Sequence, residues 1–254
     1  MAMLQFLGGD ARMTWAKARV QTLGLEVGTE QVTHLVLPVP AFDGAGDIRG
    51  GPPFAEVTGL LRPGLTVLGG RMHVRRPALE QAGCRVVDLL EEEQLAARNA
   101  AITAEGAVSL AMQHLPCTLF GASALVLGWG RIGRLLSRKL ADLGADVWVC
   151  ARKARDLGLI AALGLHPLPV PQCPAGWGDL RRFRVIFNTV PAPMLELQDP
   201  GGTLLVELAS APGGICCPGH VLDGGGLPGK YAPESAGIAI GDAIFRWIGE
   251  ENHG

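Results

Sequence analysis

The sequence has no apolar run approaching the ~20 residues that a membrane helix needs, and its opening Met1-Ala2-Met3-Leu4 carries no basic leader. Neither a span nor a signal peptide is therefore expected, and the cytoplasm is the expected compartment. Excess positive charge is missing too. The formal net charge is −2, which leaves no basic surplus for a phosphate backbone, so nucleic acid is not an expected partner. The cysteines Cys84, Cys117, Cys150, Cys173, Cys216 and Cys217 show no Cys-x-x-Cys and no cysteine–histidine ligand spacing. No zinc site or disulfide framework is expected from them. Cys216-Cys217 could form a redox pair, but two small residues beside Pro218 is the simpler reading. His34, His73, His166 and His220 have no partner at metal or triad spacing, and Ser109, Ser123 and Ser137 lack the nucleophile-elbow context of a hydrolase. Aromatic residues are few, at 5%.

What is present is apolar and rich in turns. Hydrophobic residues make up 48% of 254, enough for two small α/β domains. The 36 glycines and 18 prolines have no period, so they read as tight turns and phosphate loops. Leu4 to Leu7, ending in Gly8-Gly9 and followed by a helix-compatible stretch from Ala11 to Thr22, reads as an opening βα unit. His34 to Val39, Leu65 to Leu68 and Arg85 to Leu90 read as further strands of a small parallel sheet. From Glu91 to Gln113 the pattern predicts a connecting helix with a solvated acidic start and an interruption at Gly106, stopped by Pro116.

Strand Ala124–Leu127 then enters a glycine loop. Helix 131–143, strand 146–150, helix 154–163, strands 185–188 and 203–208 and a closing helix from Pro233 to Ile248 follow. The alternation predicts an α/β fold of dehydrogenase-like two-domain arrangement. A small N-terminal flavodoxin-like domain is expected over residues 1–98, a Rossmann dinucleotide-binding domain with its connecting helix over 99–230, and a C-terminal helix over 231–254 that packs back on the first domain.

Gly128-Trp129-Gly130-Arg131-Ile132-Gly133 fits Gly-x-Gly-x-x-Gly. Alone that pattern is weak, but here it follows an apolar strand, opens an amphipathic helix and leads through Gly144-Ala145 into a second strand. The first glycine serves the turn, the second lets backbone approach a pyrophosphate, and the third lets helix and strand pack closely. Unpaired N–H groups at the helix start then stabilise the anion. An NAD site places Asp or Glu at the end of the second strand, about 20 residues on, to accept from the ribose 2′-hydroxyl. Here Val149-Cys150-Ala151-Arg152-Lys153 stands instead. Two cations suit a 2′-phosphate, so NADP is the expected cofactor, with a solvated turn as the alternative. Asn188-Thr189-Val190-Pro191, at the carboxyl end of a strand, is expected to contact nicotinamide and its ribose, and Ser210 on the next strand to present backbone to nicotinamide or substrate.

Several further segments, in order, carry a family resemblance. Gly8-Gly9-Asp10-Ala11-Arg12, Thr103-Ala104-Glu105-Gly106 with Gln113-His114, Gly128 to Gly133, and Asn188-Thr189-Val190-Pro191 belong to the set. So do Leu208-Ala209-Ser210-Ala211-Pro212-Gly213-Gly214 and Leu227-Pro228-Gly229-Lys230 with Ala232-Pro233. Together these resemble the A subunit of dipicolinate synthase. The resemblance spans most of the chain and is closest from Asn99 onward; between Glu26 and His34 the chain looks abbreviated. It implies oxidation of a dihydrodipicolinate to pyridine-2,6-dicarboxylate with NADP⁺ during endospore formation. It also implies a partner, the flavoprotein-like B subunit of dipicolinate synthase, and the mother-cell cytoplasm as compartment. A homo-oligomer is the expected assembly.

A substrate with two carboxylates calls for cations at two places, and Arg12 and Lys230 are the leading candidates, on loops expected to meet an interdomain cleft. Asp10 either orients Arg12 or caps the following helix. Glu105 and His114 are candidate proton carriers, but nine residues on a straight helix puts them on opposite faces, so each must act alone. Two other readings stay open. A 2-hydroxy-acid-type dehydrogenase would need a histidine backed by a carboxylate, for which His220 and Glu207 are the nearby candidates. A non-catalytic NADP-binding scaffold subunit would keep the glycine loop and Arg152 without turnover.

Overall fold

The computed structural model describes residues 2–171 and 176–251; Cys173 lies outside them. In chain order the strands and α-helices are β1 (Met3–Phe6), α1 (Ala11–Thr22), β2 (Glu26–Val27), β3 (His34–Val36), α2 (Phe54–Val57), β4 (Thr66–Gly69), α3 (Arg76–Gln81), β5 (Arg85–Asp88) and the long α4 (Glu93–His114). Then come β6 (Ser123–Leu127), α5 (Arg131–Asp142), β7 (Asp146–Ala151), α6 (Ala154–Ala162), β8 (His166–Pro169), β9 (Val185–Asn188) and β10 (Leu195–Glu196). The chain ends through β11 (Leu204–Glu207), β12 (Ile215–Cys216), β13 (Val221–Asp223), α7 (Leu227–Tyr231) and α8 (Pro233–Glu251). It divides into two units, Met1–Asn99 with Pro228–Gly254, and Ala100–Leu227.

The first unit carries a parallel sheet in the order β2-β1-β3-β4-β5, the flavodoxin-like winding. Both of its faces are covered, and the central strands β3 and β4 are buried at every position. On β3 and beyond, Val36 and Val39 face Met13, Ala16 and Val20 of α1 and Ile240 and Ile244 of α8. Leu35 and Leu37 face the opposite way, toward Phe42, Phe54 and Leu79. Helix α8 lies directly on α1 because Gly237 and Gly241, one turn apart, carry no Cβ: one on Gly237 would fall on the Arg12 carbonyl, and one on Gly241 would stand 2.7 Å from Arg19 Cβ. Buried Asp242 ties the same contact, accepting from Arg19 Nε at 2.7 Å and from Arg98 Nη1 at 2.9 Å.

The second unit carries a six-stranded parallel sheet, β13-β11-β9-β6-β7-β8, the doubly wound order of a dinucleotide-binding fold. Alternation along β6 sends Ala124 and Val126 toward α4 and α5, and Leu125 and Leu127 toward Phe183, Ile186 and Met194. Among the described residues no helix is long and apolar enough to cross a membrane.

Two local expectations are corrected, and one strand is found in a segment that the sequence reading left unassigned. Helix α4 runs through Gly106 without a break; Ala104, Ala107, Val108 and Ala111 are buried around it, and that packing outweighs the ~1 kcal/mol that a helical glycine costs. Pro-rich His166–Pro169 is a strand, which two prolines permit because β8 is at the sheet edge. Leu227-Pro228-Gly229-Lys230 is a short helix rather than a loop, and Pro228 onward belongs with the first unit.

Candidate functional site

At the carboxyl edge of the second sheet lies a cavity of about 560 Å³. Four strand ends build it, with Val170 and Pro171 after β8 as the smallest share. Gly128, Trp129 and Gly130 follow β6; Cys150, Ala151, Arg152, Lys153 and Asp156 end β7 and open α6; Thr189 to Met194 follow β9. The volume is in the range of small-molecule and cofactor sites, and its place is where such folds take ligands.

The loop has the geometry that a dinucleotide requires. Gly128 has φ +107°, and a Cβ on it would stand 2.6 Å from Thr189 Oγ1 and from Val190 Cγ2. A Cβ on Gly133 would fall on the Gly128 carbonyl oxygen, so helix α5 can approach β6 closely only with glycine there. Gly130, which caps α5, faces open space: nothing lies within 4 Å of where its Cβ would be. Backbone can thus be approached at Gly130 and cannot be crowded at Gly128 or Gly133. The indole N–H of Trp129 is buried beside the cavity and has no partner among the described residues. These features fit a bound pyrophosphate at the α5 start.

At the β7 end, Arg152 and Lys153 are exposed, and neither side chain is held in an ion pair among the described residues. Lys153 also stands at the N-terminus of α6, whose partial positive charge adds to theirs. Among the described residues Asp156 is the one acid of the lining, with Arg155 Nε 3.8 Å away. Burial pushes the Cys150 thiol up to about 12, so it lines the cavity as a neutral group.

Not every expected residue reaches the cavity. Arg131, Ile132 and Gly133 form the start of α5 behind it, and Ser210 is exposed outside the lining. The Asn188 side chain is fully buried and turned from the cavity, donating to Glu207 at 2.8 and 3.0 Å and to the Val190 carbonyl at 2.9 Å. Glu105 is exposed, with Lys139 Nζ 3.5 Å away, and His114 bonds the Leu110 carbonyl through Nδ1 at 2.8 Å. Neither lines the cavity: Glu105 faces Lys139 of α5, and His114 bonds back to its own helix α4. Arg12 and Lys230 lie in the first unit, where Arg12 packs against Gly229, the neighbour of Lys230.

Sequence reasoning offers Glu207 only as the backing of His220, and that pair is not formed. His220 is exposed, while the Glu207 carboxylate accepts from Asn188 and from the backbone N–H groups of Ala209, Gly214 and Ile215. The pair that the 2-hydroxy-acid dehydrogenase reading needs is therefore not made by these two residues, and the histidine–carboxylate pairs His34–Glu251 and His166–Asp146 lie outside the cavity lining. The sequence did carry one signal for Glu207, an acid closing the apolar run Leu204-Leu205-Val206; its register with Asn188 comes from the sheet.

No protein-family profile matches the chain. The A subunit of dipicolinate synthase from Bacillus subtilis is 30% identical over 244 residues, covering 89% of this chain and 80% of that protein. The chain belongs to the family of the dipicolinate synthase A subunit. The crystal structure of the A subunit from Bacillus halodurans superimposes with a TM-score of 0.85 at 26% identity, covering 97% of each chain. A transhydrogenase from Sinorhizobium meliloti shares the fold alone, with a TM-score of 0.69 at 15% identity over 96% of this chain and 93% of that one. This dipicolinate synthase family thus has a dehydrogenase-like fold of two α/β units.

Proposed function

We propose that this chain oxidises dihydrodipicolinate to dipicolinate with NADP⁺, working with the flavoprotein-like B subunit of dipicolinate synthase in the cytoplasm of a sporulating mother cell. The observation that carries the cofactor half is the end of β7, where Arg152 and Lys153 stand at the cavity in place of the acid that an NAD site uses. Family membership supports the substrate half.

Bound NADP⁺ would supply the hydride acceptor for the dihydropyridine ring, and the ring proton would leave to solvent as the ring becomes aromatic. The chain's own residues bind and orient. Gly128 and Gly130 with the α5 N-terminus hold the pyrophosphate, and Arg152 with Lys153 holds the 2′-phosphate. Arg12 and Lys230 bind the substrate carboxylates. Asp10 occupies the Nε edge of Arg12 and accepts from Nη2, which orients the guanidinium and leaves Nη1 for a carboxylate. Glu105 and His114 have no part in this reading. Aromatisation drives the reaction forward, so positioning outweighs proton transfer.

The test is NADPH formation by purified protein with NADP⁺ and freshly generated dihydrodipicolinate, with and without a candidate second subunit, while dipicolinate is quantified separately. Equal amounts of both products support the reading. Tight NADP⁺ binding without turnover, with the partner present, overturns it in favour of a scaffold role.

A further inference from the structure

From its bonding we infer that Glu207 is a positioning residue that sets the nicotinamide side of the dinucleotide site; this rests on the cofactor reading above. The carboxylate sits at the carboxyl end of β11, beside Asn188 at the end of β9. Its Oε1 accepts from Asn188 Nδ2 at 2.8 Å and from Ala209 N at 2.9 Å. Its Oε2 accepts from Gly214 N at 2.7 Å, Ile215 N at 3.0 Å and Asn188 Nδ2 at 3.0 Å. One side chain therefore grips the loop after β11 directly and the end of β9 through Asn188.

The two loops are also joined to each other. Met194 N and Leu195 N both donate to the Gly214 carbonyl, at 2.8 and 2.9 Å, and β10 pairs with β12. Gly214 is pressed so closely on the first loop that a Cβ would stand 2.8 Å from the Val190 carbonyl and 2.6 Å from Asn188 Nδ2. Asn188 completes the grip, since its Oδ1 accepts from Val190 N at 3.1 Å while its Nδ2 donates to the Val190 carbonyl. The held segment, Thr189 to Met194, is the cavity wall on the β9 side, across the central strand β6 from Arg152 and Lys153.

Such an arrangement separates the two halves of the ligand. The β7 side, which carries the cations, makes no bond to Glu207, whereas the β9 wall depends on it. A carboxylate that satisfies three backbone N–H groups is also hard to replace: the isosteric amide presents one acceptor oxygen and an NH₂ that faces other donors.

The experiment compares NADP⁺ with adenosine 2′,5′-bisphosphate, which has the 2′-phosphate and lacks the nicotinamide half, by calorimetry on the wild-type chain and Glu207→Gln. The expected result is NADP⁺ binding weakened about 10- to 100-fold, with the bisphosphate unchanged, which also reports that the variant is folded. Equal weakening of both ligands, or no weakening of NADP⁺, overturns the inference. Should Glu207→Gln fail to fold, Asn188→Ser, which keeps the carboxylate and its three backbone donors, is read by the same criterion with a smaller expected loss. Wild-type protein that binds neither ligand overturns the cofactor reading itself; wild-type binding of both with a uniform loss in the variants overturns only the role of Glu207.

Discussion

Asp10 holds Arg12 along one edge of the guanidinium, with Nη2 2.7 Å from Oδ2 and Nε 3.0 Å from each carboxylate oxygen. The same carboxylate caps α1 by accepting from Arg12 N at 2.9 Å, so the two roles weighed from the sequence are both filled. Partial burial works to raise the Asp10 carboxyl, but the hydrogen bonds and charge of Arg12 outweigh it and leave it below its ordinary 3.8. A depressed folded value means that the pair's contribution is present above 3.8 and is lost as pH falls through the folded value. Asp10 is half exposed, so the stability change is small and the titration is the sensitive readout. A carboxyl NMR titration is expected to give a midpoint below 3.8, and Arg12→Ala to raise it; an unchanged midpoint in the variant would mean that the clamp does not form in solution.

Arg152→Ala tests cofactor choice. A charge-assisted hydrogen bond contributes about 1.5–3 kcal/mol, so NADP⁺ affinity should fall roughly 10- to 150-fold while NAD⁺ affinity stays level. Intact NADP⁺ affinity in the variant, or wild-type protein that prefers NAD⁺, would reject the 2′-phosphate site.

The glycines of the loop separate folding from binding. Gly133→Ala puts a methyl on the Gly128 carbonyl oxygen, and such overpacking costs about 1–3 kcal/mol, visible as a lower Tm without ligand. Gly130→Ala puts the methyl in open space, so the Tm should hold while NADP⁺ affinity drops. Equal Tm losses in both would mean that Gly130 serves packing alone.

Thiol chemistry should sort by burial. With its thiol pushed up to about 12, Cys150 is a thiolate only to roughly one part in ten thousand at pH 8. Exposed Cys117 and Cys216 are expected to alkylate first, with Cys150 and Cys84 protected until the protein unfolds, as read by peptide mass spectrometry. Rapid labelling of Cys150 in the native protein would contradict the packing at the end of β7.

Much of this was legible along the chain because it depends on local pattern. The glycine loop, the strand before it and the cations at the end of the next strand lie within one βαβ unit, so spacing alone specifies their relation. Apolar runs such as Ala124–Leu127 and Val185–Asn188 mark strands buried on both faces, and the order of segments carried the family. Edge elements were harder to see: Glu26–Val27 and Val221–Asp223 are too short to show a period, and the prolines of His166–Pro169 resemble a loop.

Tertiary structure alone decided which polar groups are spent. Asn188 and Glu207 are nineteen residues apart, and only the pairing of β9 with β11 reveals that they satisfy each other rather than a ligand or His220. The continuity of α4 through Gly106 likewise depends on the buried neighbours around that glycine, not on its own preference. Local sequence determined the secondary elements and the cofactor loop, because those interactions span a few residues. The partners of buried donors and acceptors span the sheet, and the fold had to bring them together before their roles could be read.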